Sequence, residues 1–311
     1  MVKIRLFGRC ALESDATVIQ DINCAKAREL LGYLACHRER HLSREAVIGA
    51  LWGDMQEEQG KRALRQTLWQ LQTALGPFQI TASRPFIEAD GEWIRLNPDS
   101  GIWLDVARFE ELEKMTRRIK GHPYTETQLA HLNEAVSIYR GQLMEDCFKD
   151  WCVRQRHEYN KCYLKMLTRL MNSQKESGDY EGAMTTASMV LREEPASESA
   201  NGTLMLLYHN EGDRTSALRQ FEQYKRTVRE VFNVPPSKAL SDLNKKIRED
   251  LGQEIISESD TKDAKISAFE ERVIAILESI REEMARNRKD IRHLWESIEK
   301  KNPGQVENEI Q

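Results

Sequence analysis

The side chains best suited to molecular recognition lie between Lys61 and Leu75, a stretch that contains no acidic residue. Arg and Gln are frequent there, and these side chains can form two hydrogen bonds at once to guanine or adenine in the DNA major groove. At about 100° per residue, four leucines fall within one narrow sector and the polar residues fall around the opposite side. The leucines are Leu64, Leu68, Leu71 and Leu75, and the candidate DNA-binding residues are Lys61, Arg62, Arg65, Gln66, Trp69, Gln70 and Thr73. The pattern predicts a recognition helix; the alternative is an ordinary amphipathic helix with a basic face.

Residue patterns for catalysis or cofactor binding are missing from the sequence. It contains neither the GxxxxGK[ST] phosphate loop nor the GxGxxG dinucleotide fingerprint. His37 and His41, with Cys36 beside them, have a spacing that could present a metal edge, but no third ligand is clear, so we interpret them as surface residues. Cys147 and Cys152 are interpreted as small buried apolar groups rather than redox partners. We therefore expect no enzyme activity, no metal and no cofactor.

The elements that position the basic face follow the order strand, three helices and hairpin. Residues 2–7 alternate apolar and charged, as in a half-buried strand. Helices are predicted over Ala25–Cys36, from the N-cap Ser43 to Trp52, and over Gly60–Leu75, where Gly76-Pro77 ends the third helix. Apolar runs on both sides of Asp90-Gly91 give a strong hairpin signal over residues 87–96. Residues 1–97 are thus predicted to form a winged helix-turn-helix domain with the hairpin as its wing.

Two further arginines lie near the wing. Arg84 and Arg95 could contact phosphates or a minor groove; the alternatives are a loop charge for Arg84 and the polar side of a strand for Arg95. Residues 1–97 are close to electroneutral, with 13 basic against 12 acidic side chains. We therefore expect modest non-specific affinity for DNA and specific binding that involves more than one protomer.

A second domain is predicted over residues 98–251, where residues 103–250 show almost no strand pattern but contain an internal repeat with a period of 34 residues. Gly178-Asp179 recurs as Gly212-Asp213, and at the same shift Leu170 matches Leu204 and Ala183 matches Ala217. Leu on the first helix, Gly at the turn and a small Ala where helices touch predict tetratricopeptide-like, all-helical stacking. Six aromatic residues fit either the helix interfaces, which we favour, or a concave binding groove: Trp151, Tyr159, Tyr163, Tyr208, Phe221 and Tyr224.

The C-terminal part of the chain has a heptad pattern. A polar linker is predicted at 252–265, a coiled-coil oligomerisation helix at 266–300 and a tail at 301–311. The apolar seam has the single polar member Asn287, and its other candidate residues are Ile266, Val273, Leu277, Ile280, Met284, Ile291, Leu294 and Ile298. A helix with such a seam needs a partner, and we expect that partner to be a second copy of the chain.

Composition sets limits on the whole protein. The 311 residues suggest about two domains. The net charge of -4, from 46 basic and 50 acidic residues, excludes a globally basic nucleic-acid coat but allows a local basic surface. No apolar stretch approaches the ~20 residues of a membrane span, and the six cysteines form no CxxC pair. We expect a cytoplasmic protein with reduced thiols and no membrane partner.

Several motifs resemble the Streptomyces antibiotic regulatory protein (SARP), or AfsR-type, family of transcriptional activators. In the N-terminal domain these are Lys26-Ala27-Arg28-Glu29-Leu30-Leu31, Leu42-Ser43-Arg44-Glu45, Ala50-Leu51-Trp52-Gly53-Asp54 and Ala63-Leu64-Arg65. Trp103-Leu104-Asp105-Val106-Ala107-Arg108-Phe109, Tyr139-Arg140-Gly141, Asp150-Trp151 and the two Gly-Asp motifs resemble the bacterial transcriptional activator domain. The resemblance implies an OmpR-like winged helix that binds direct repeats in promoter DNA, and activation by contact with RNA polymerase. It places Arg62, Arg65, Gln66, Trp69 and Gln70 at DNA-facing positions.

The sequence therefore predicts a mainly α protein and a sequence-specific DNA-binding regulator, most simply an activator. Its expected partners are double-stranded promoter DNA, RNA polymerase through the family resemblance, and itself through the coiled coil. The alternative hypothesis is a helical-repeat adaptor or signal-binding protein whose winged helix docks protein rather than DNA.

Overall fold

The computed structural model describes residues 2–14, 17–20, 22–79, 84–117 and 124–250. Within these residues the strands are β1 Val2–Arg5, β2 Ala11–Ser14, β3 Thr17–Gln20, β4 Leu42–Ser43, β5 Ile87–Asp90, β6 Trp93–Leu96 and β7 Trp103–Leu104. The helices are α1 Ala25–Cys36, α2 Arg44–Trp52, α3 Glu57–Gln79, α4 Asp105–Met115, α5 Glu126–Ile138, α6 Asp150–Ser177, α7 Tyr180–Glu193, α8 Glu198–Asn210 and α9 Arg214–Phe232. Residues 238–250 are also helical. The predicted mainly α fold is confirmed, whereas the predicted linker, coiled-coil helix and tail lie outside the described residues.

The N-terminal sheet has four strands in the order β3-β2-β1-β7. β1 pairs antiparallel with β2, and it pairs in parallel with β7, which follows the wing in sequence. The predicted strand at 2–7 is therefore confirmed in β1, but β2 and β3 were not predicted. The sequences Ala-Leu-Glu-Ser of β2 and Thr-Val-Ile-Gln of β3 do not alternate apolar and polar side chains as Val-Lys-Ile-Arg of β1 does.

The winged helix-turn-helix follows this sheet. α1 has the predicted bounds, and the hydroxyl oxygen of Ser43 accepts a hydrogen bond from the Ala46 amide at the start of α2, as an N-cap does. β5 and β6 form the predicted wing, and β4 adds a third strand beside β6. The predicted bounds of the third helix were wrong, because α3 begins at Glu57 and continues past Pro77. Acidic residues suit the first turn of a helix, and a proline in the last turn removes few hydrogen bonds.

Helices α4 to α9 pack as successive antiparallel pairs, and the 34-residue repeat corresponds to the pairs α6–α7 and α8–α9. Gly178 and Gly212 stand at equivalent turns with φ of +83° each, a conformation that favours glycine. The following aspartates cap the next helices: Asp179 accepts from the Gly182 amide and Asp213 from the Ser216 amide. The helical-repeat prediction is confirmed.

The core of this region is rich in aromatic side chains. Phe7 of the N-terminal segment lies within 5.3 Å of the ring centroids of Phe109, Tyr139 and Tyr159, so the core crosses the boundary between the winged helix and the repeats. Of the six aromatic residues considered above, five are buried and Tyr208 is partly buried against the same core. The interpretation of these residues as helix-interface residues is confirmed.

Candidate nucleic-acid interface

The solvent-facing side of α3 carries the candidate DNA-binding residues, and its opposite side is core. Leu64, Leu68, Leu71 and Leu75 are all buried, and α3 packs against α1 and α2. Arg62, Arg65, Gln66 and Thr73 are exposed. The structure therefore brings the predicted residues together on one surface, with their side chains supported by a rigid apolar base.

Trp69 stands in the middle of this surface with 66% of its area exposed. The Thr73 hydroxyl donates to the Trp69 backbone carbonyl oxygen at 2.8 Å, a contact that does not involve the indole ring. A large exposed aromatic ring among arginines and glutamines is typical of a binding surface, because burial against a partner removes its apolar area from water.

Lys61, at the beginning of this surface, is paired with two carboxylates. Its Nζ lies 2.5 Å from Glu57 Oε1 and 3.4 Å from Glu58 Oε1. These contacts raise the pKa of Lys61 and lower the pKa of Glu57. The sequence interpretation missed the pairing because it began the helix after both glutamates. Lys61 therefore contributes less net positive potential than Arg62 and Arg65.

Gln70 is at the edge of the surface and is partly buried. The Cys24 thiol donates to Gln70 Oε1 at 3.1 Å, which fixes the amide oxygen toward the protein. Both residues line a cavity of about 280 Å³ that also contacts Trp69, Thr73 and Pro77. Of the predicted base-contacting residues, Gln70 is thus the one whose hydrogen-bonding capacity is already partly used.

The wing carries more acidic character than the sequence interpretation assumed. Arg84 Nη1 lies 2.7 Å from Asp99 Oδ2, and Arg95 Nε lies 2.5 Å from Glu88 Oε2 across the hairpin. Both arginines proposed for phosphate contact are therefore already paired with carboxylates. The turn itself exposes Asp90 and Glu92.

Arg44, which was not among the predicted site residues, joins the wing to α2. Its Nε donates to the Gly91 carbonyl at 2.6 Å, and its amide donates to the Glu92 carbonyl at 2.8 Å. Arg44, Lys61 and Arg65 line a cavity of about 470 Å³ between α2, α3 and the wing. The position of Arg44 directly after the N-cap Ser43 was a usable signal, because residues at that point of a second helix lie near the recognition helix.

The remaining candidate residues are the histidines and cysteines. Within the described residues there is no group of three or more His, Cys, Asp or Glu residues placed to hold a metal ion. The His37 ring packs on Tyr33 and its Nδ1 lies 2.8 Å from the Tyr33 carbonyl oxygen, while burial lowers the pKa of His37. Cys147 and Cys152 are buried, as predicted. None of the described helices is long and apolar enough to span a membrane.

Comparisons with known proteins agree with this architecture. Residues 104–248 match the family model "Bacterial transcriptional activator domain". A solved structure of Mycobacterium tuberculosis EmbR, in complex with a low-affinity phosphopeptide, superposes with a TM-score of 0.66 at 20% sequence identity. That match covers 80% of this chain and 65% of the EmbR chain, so it spans just under two thirds of EmbR and shows a shared fold. A search of curated proteins by sequence returns no match.

Proposed function

We propose that this chain is a SARP-type transcriptional regulator, with a winged helix ahead of a bacterial transcriptional activator domain, and that it binds promoter DNA through α3. The observation that carries the proposal is the exposed face of α3, which from Lys61 onward presents Arg, Gln, Thr and Trp without an acidic residue. In this proposal Arg62, Arg65 and Gln66 contact base edges or phosphates, and Trp69 packs on sugar or a thymine methyl group.

The charge distribution supports binding by more than one protomer. Because Arg84 and Arg95 are already paired with carboxylates and the wing turn is acidic, the wing offers phosphates little free positive charge. A single winged helix then gains less from counterion release, so its affinity depends mainly on α3 and the neighbouring Arg44. We propose that protomers bind direct repeats together and that the heptad helix 266–300 links them, which makes the second contact intramolecular.

The attachment of the winged helix to the activator domain supports activation by contact with RNA polymerase. β1 of the first domain pairs with β7 at the start of the second, and Met144 donates its amide to the Leu6 carbonyl at 2.8 Å. Protein bound to a promoter through α3 would therefore hold its activator domain at a fixed position beside the DNA. In this proposal that domain offers RNA polymerase a defined surface.

An electrophoretic mobility shift with the DNA upstream of the protein's own gene tests the proposal. The variant Arg65→Ala with Gln66→Ala should weaken specific binding about tenfold or more, because each lost base contact removes about 1–3 kcal/mol. Arg226→Ala with Gln223→Ala is the matched control, since both residues are exposed on α9. Equal binding by wild type and the Arg65/Gln66 variant would refute the assignment of α3 as the DNA-reading element.

The acidic wing favours a second candidate function, that of an adaptor whose winged helix docks protein. Asp90 and Glu92 at the wing turn repel phosphates, and the neighbouring Trp93 is half exposed. An exposed aromatic ring beside carboxylates suits a basic protein surface. A folded protein that shifts no DNA fragment would support this function over the first.

A further inference from the structure

A row of basic side chains runs along the solvent-facing side of α6, far in sequence from the α3 surface. His157, Lys161, Lys165 and Arg169 follow one another at intervals of four residues, and the first three are exposed. Together with Asn160, Leu164, Thr168 and Glu194 they line a groove of about 490 Å³, which we call the α6 groove. Nothing in the DNA-binding proposal uses these residues.

The cations of the α6 groove are largely uncompensated. In the described part of the chain, neither Lys161 nor Lys165 forms a hydrogen bond or ion pair with its side chain. Arg169 Nη1 lies 3.8 Å from Glu113 Oε1, and this buried nitrogen has no hydrogen-bond partner. Glu113 also binds Arg117 at 3.0 Å, so one carboxylate serves two arginines. The groove thus holds two lysines that are unpaired within the described chain, whereas Arg169 is paired with Glu113 and its unsatisfied nitrogen is buried.

The spacing of the cations matches an extended peptide. Four residues of an α-helix advance about 6 Å, and every second residue of an extended chain advances about 6.6 Å on the same side. Acidic side chains at alternate positions would therefore meet successive cations of the row, and the small mismatch is within the reach of lysine side chains. Leu164 offers an apolar contact and Thr168 offers a hydroxyl group at the centre of the groove.

We propose that the α6 groove binds an acidic segment of a partner protein in an extended conformation, with carboxylates at alternate positions. Its volume of about 490 Å³ falls within the range of roughly 300–1,000 Å³ that is typical of ligand pockets. Glu194 stands at one side of the groove, so the acidic residues of the segment are expected to contact Lys161 and Lys165 on α6 rather than that side. The partner is defined by this chemistry, and its binding does not depend on the α3 surface.

Fluorescence anisotropy on the full chain tests the proposal with a fluorescein-labelled peptide of four Glu-Ala repeats. The wild type should bind this peptide more tightly than a peptide of four glutamates followed by four alanines. Lys161→Gln with Lys165→Gln should raise the Kd about tenfold, because two partly exposed charge pairs are lost. Arg219→Gln with Arg226→Gln on α9 removes the same charge and should leave the Kd unchanged.

Several outcomes would overturn the proposal. One is the absence of binding to the wild type, and another is equal binding by the Lys161/Lys165 variant. If the Lys161/Lys165 variant loses affinity for DNA but not for the peptide, the row of basic residues contacts phosphates instead. Tighter peptide binding after Glu254→Gln, Glu258→Gln and Asp260→Asn would assign the groove to the chain's own acidic segment. Intact DNA binding by the Lys161/Lys165 variant, with weakened peptide binding, supports a peptide site distinct from α3.

Discussion

Asp105, with 1% of its surface exposed, joins the first strand of the winged helix to the first helix of the activator domain. Its Oδ2 accepts hydrogen bonds from the Leu6 and Phe7 amides at 2.7 and 2.8 Å, and its Oδ1 accepts from the Val106 amide at 2.8 Å. The residue belongs to the motif Trp103–Phe109 through which the sequence resembles activator domains. Its role in the structure is to satisfy buried backbone donors rather than to contact a ligand.

Replacing Asp105 should therefore destabilise the fold. Asp105→Ala leaves three buried amides without an acceptor, and we expect a loss of about 3 kcal/mol in the free energy of unfolding. Asp105→Asn should cost less, because its amide oxygen can still accept from Leu6 and Phe7 while its NH₂ group faces the Val106 amide. Urea denaturation of the three proteins measures the order, and an alanine variant as stable as the wild type would contradict it.

Asp105 also predicts a pH dependence. Burial raises the pKa of its carboxyl from 3.8 to about 6, against the opposing effect of the three amide donors. The folded state then holds the proton more tightly than the unfolded state, so the stabilising contribution is fully present below about pH 4 and is lost as the pH rises to about 6. The stability of the wild type relative to Asp105→Asn should fall over this range and stay level above it. A rise instead would show that the amide donors outweigh burial.

At the scale of elements, α1 of the winged helix packs closely against the loop that precedes α6. A Cβ atom added at Gly32 would overlap the sulfur of Met144, which is fully buried. By contrast, a Cβ at Gly49 in α2 would meet nothing within 4 Å. Gly32 thus has no space for a larger side chain, whereas Gly49 has.

We expect Gly32→Ala to destabilise the protein by about 1–3 kcal/mol through overpacking, despite the better helix propensity of alanine. The control Gly49→Ala should instead stabilise it by about 0.5–1 kcal/mol. In a double-mutant cycle, Met144→Ala should destabilise the Gly32→Ala variant less than it destabilises the wild type, because it removes the overlapping side chain. Thermal or urea unfolding distinguishes these cases, and equal effects of the two glycine substitutions would contradict the packing described.

The same elements show what the sequence could predict. Amphipathic spacing predicted α1 and the buried leucines of α3, and the Asp90-Gly91 turn predicted the wing. The Arg95–Glu88 pair could also be predicted from the sequence, because the hairpin register places these residues opposite each other. In contrast, the Cys24–Gln70 and Arg44–Gly91 hydrogen bonds join residues 46 and 47 positions apart. Such contacts depend on how the helices and the wing pack, which local spacing does not encode.

On the scale of the whole molecule, backbone hydrogen bonds join the winged helix to the activator domain, and an arginine of α6 holds the loop that makes some of these contacts. Arg156 donates to the carbonyl oxygens of Leu143, Met144 and Cys147, and the loop that holds these residues pairs with the chain around Phe7. Met1–Leu240 accordingly form one compact unit. The proposed activation then requires no hinge between the two domains, and we propose that the heptad segment 266–300 links the protomers.

Light scattering tests that assignment. Wild type should have the mass of two or more copies of the 36.1 kDa chain, because burying an apolar seam needs a second copy. Leu277→Glu with Ile291→Glu places charges in the seam and should give the monomer mass. Ala275→Glu with Ser279→Glu adds the same charge off the seam and should leave the oligomer intact. A monomeric wild type would contradict the proposed coiled coil.

Chromatin immunoprecipitation followed by sequencing, with tagged wild type and the Arg65→Ala/Gln66→Ala variant at equal expression, tests sequence-specific binding through α3 most directly. We expect wild type to be enriched at a limited set of promoters that share a direct repeat, and we expect the variant to lose this enrichment. Wild type without enrichment at any promoter, or a variant enriched at the same promoters to the same extent, would contradict sequence-specific binding through α3.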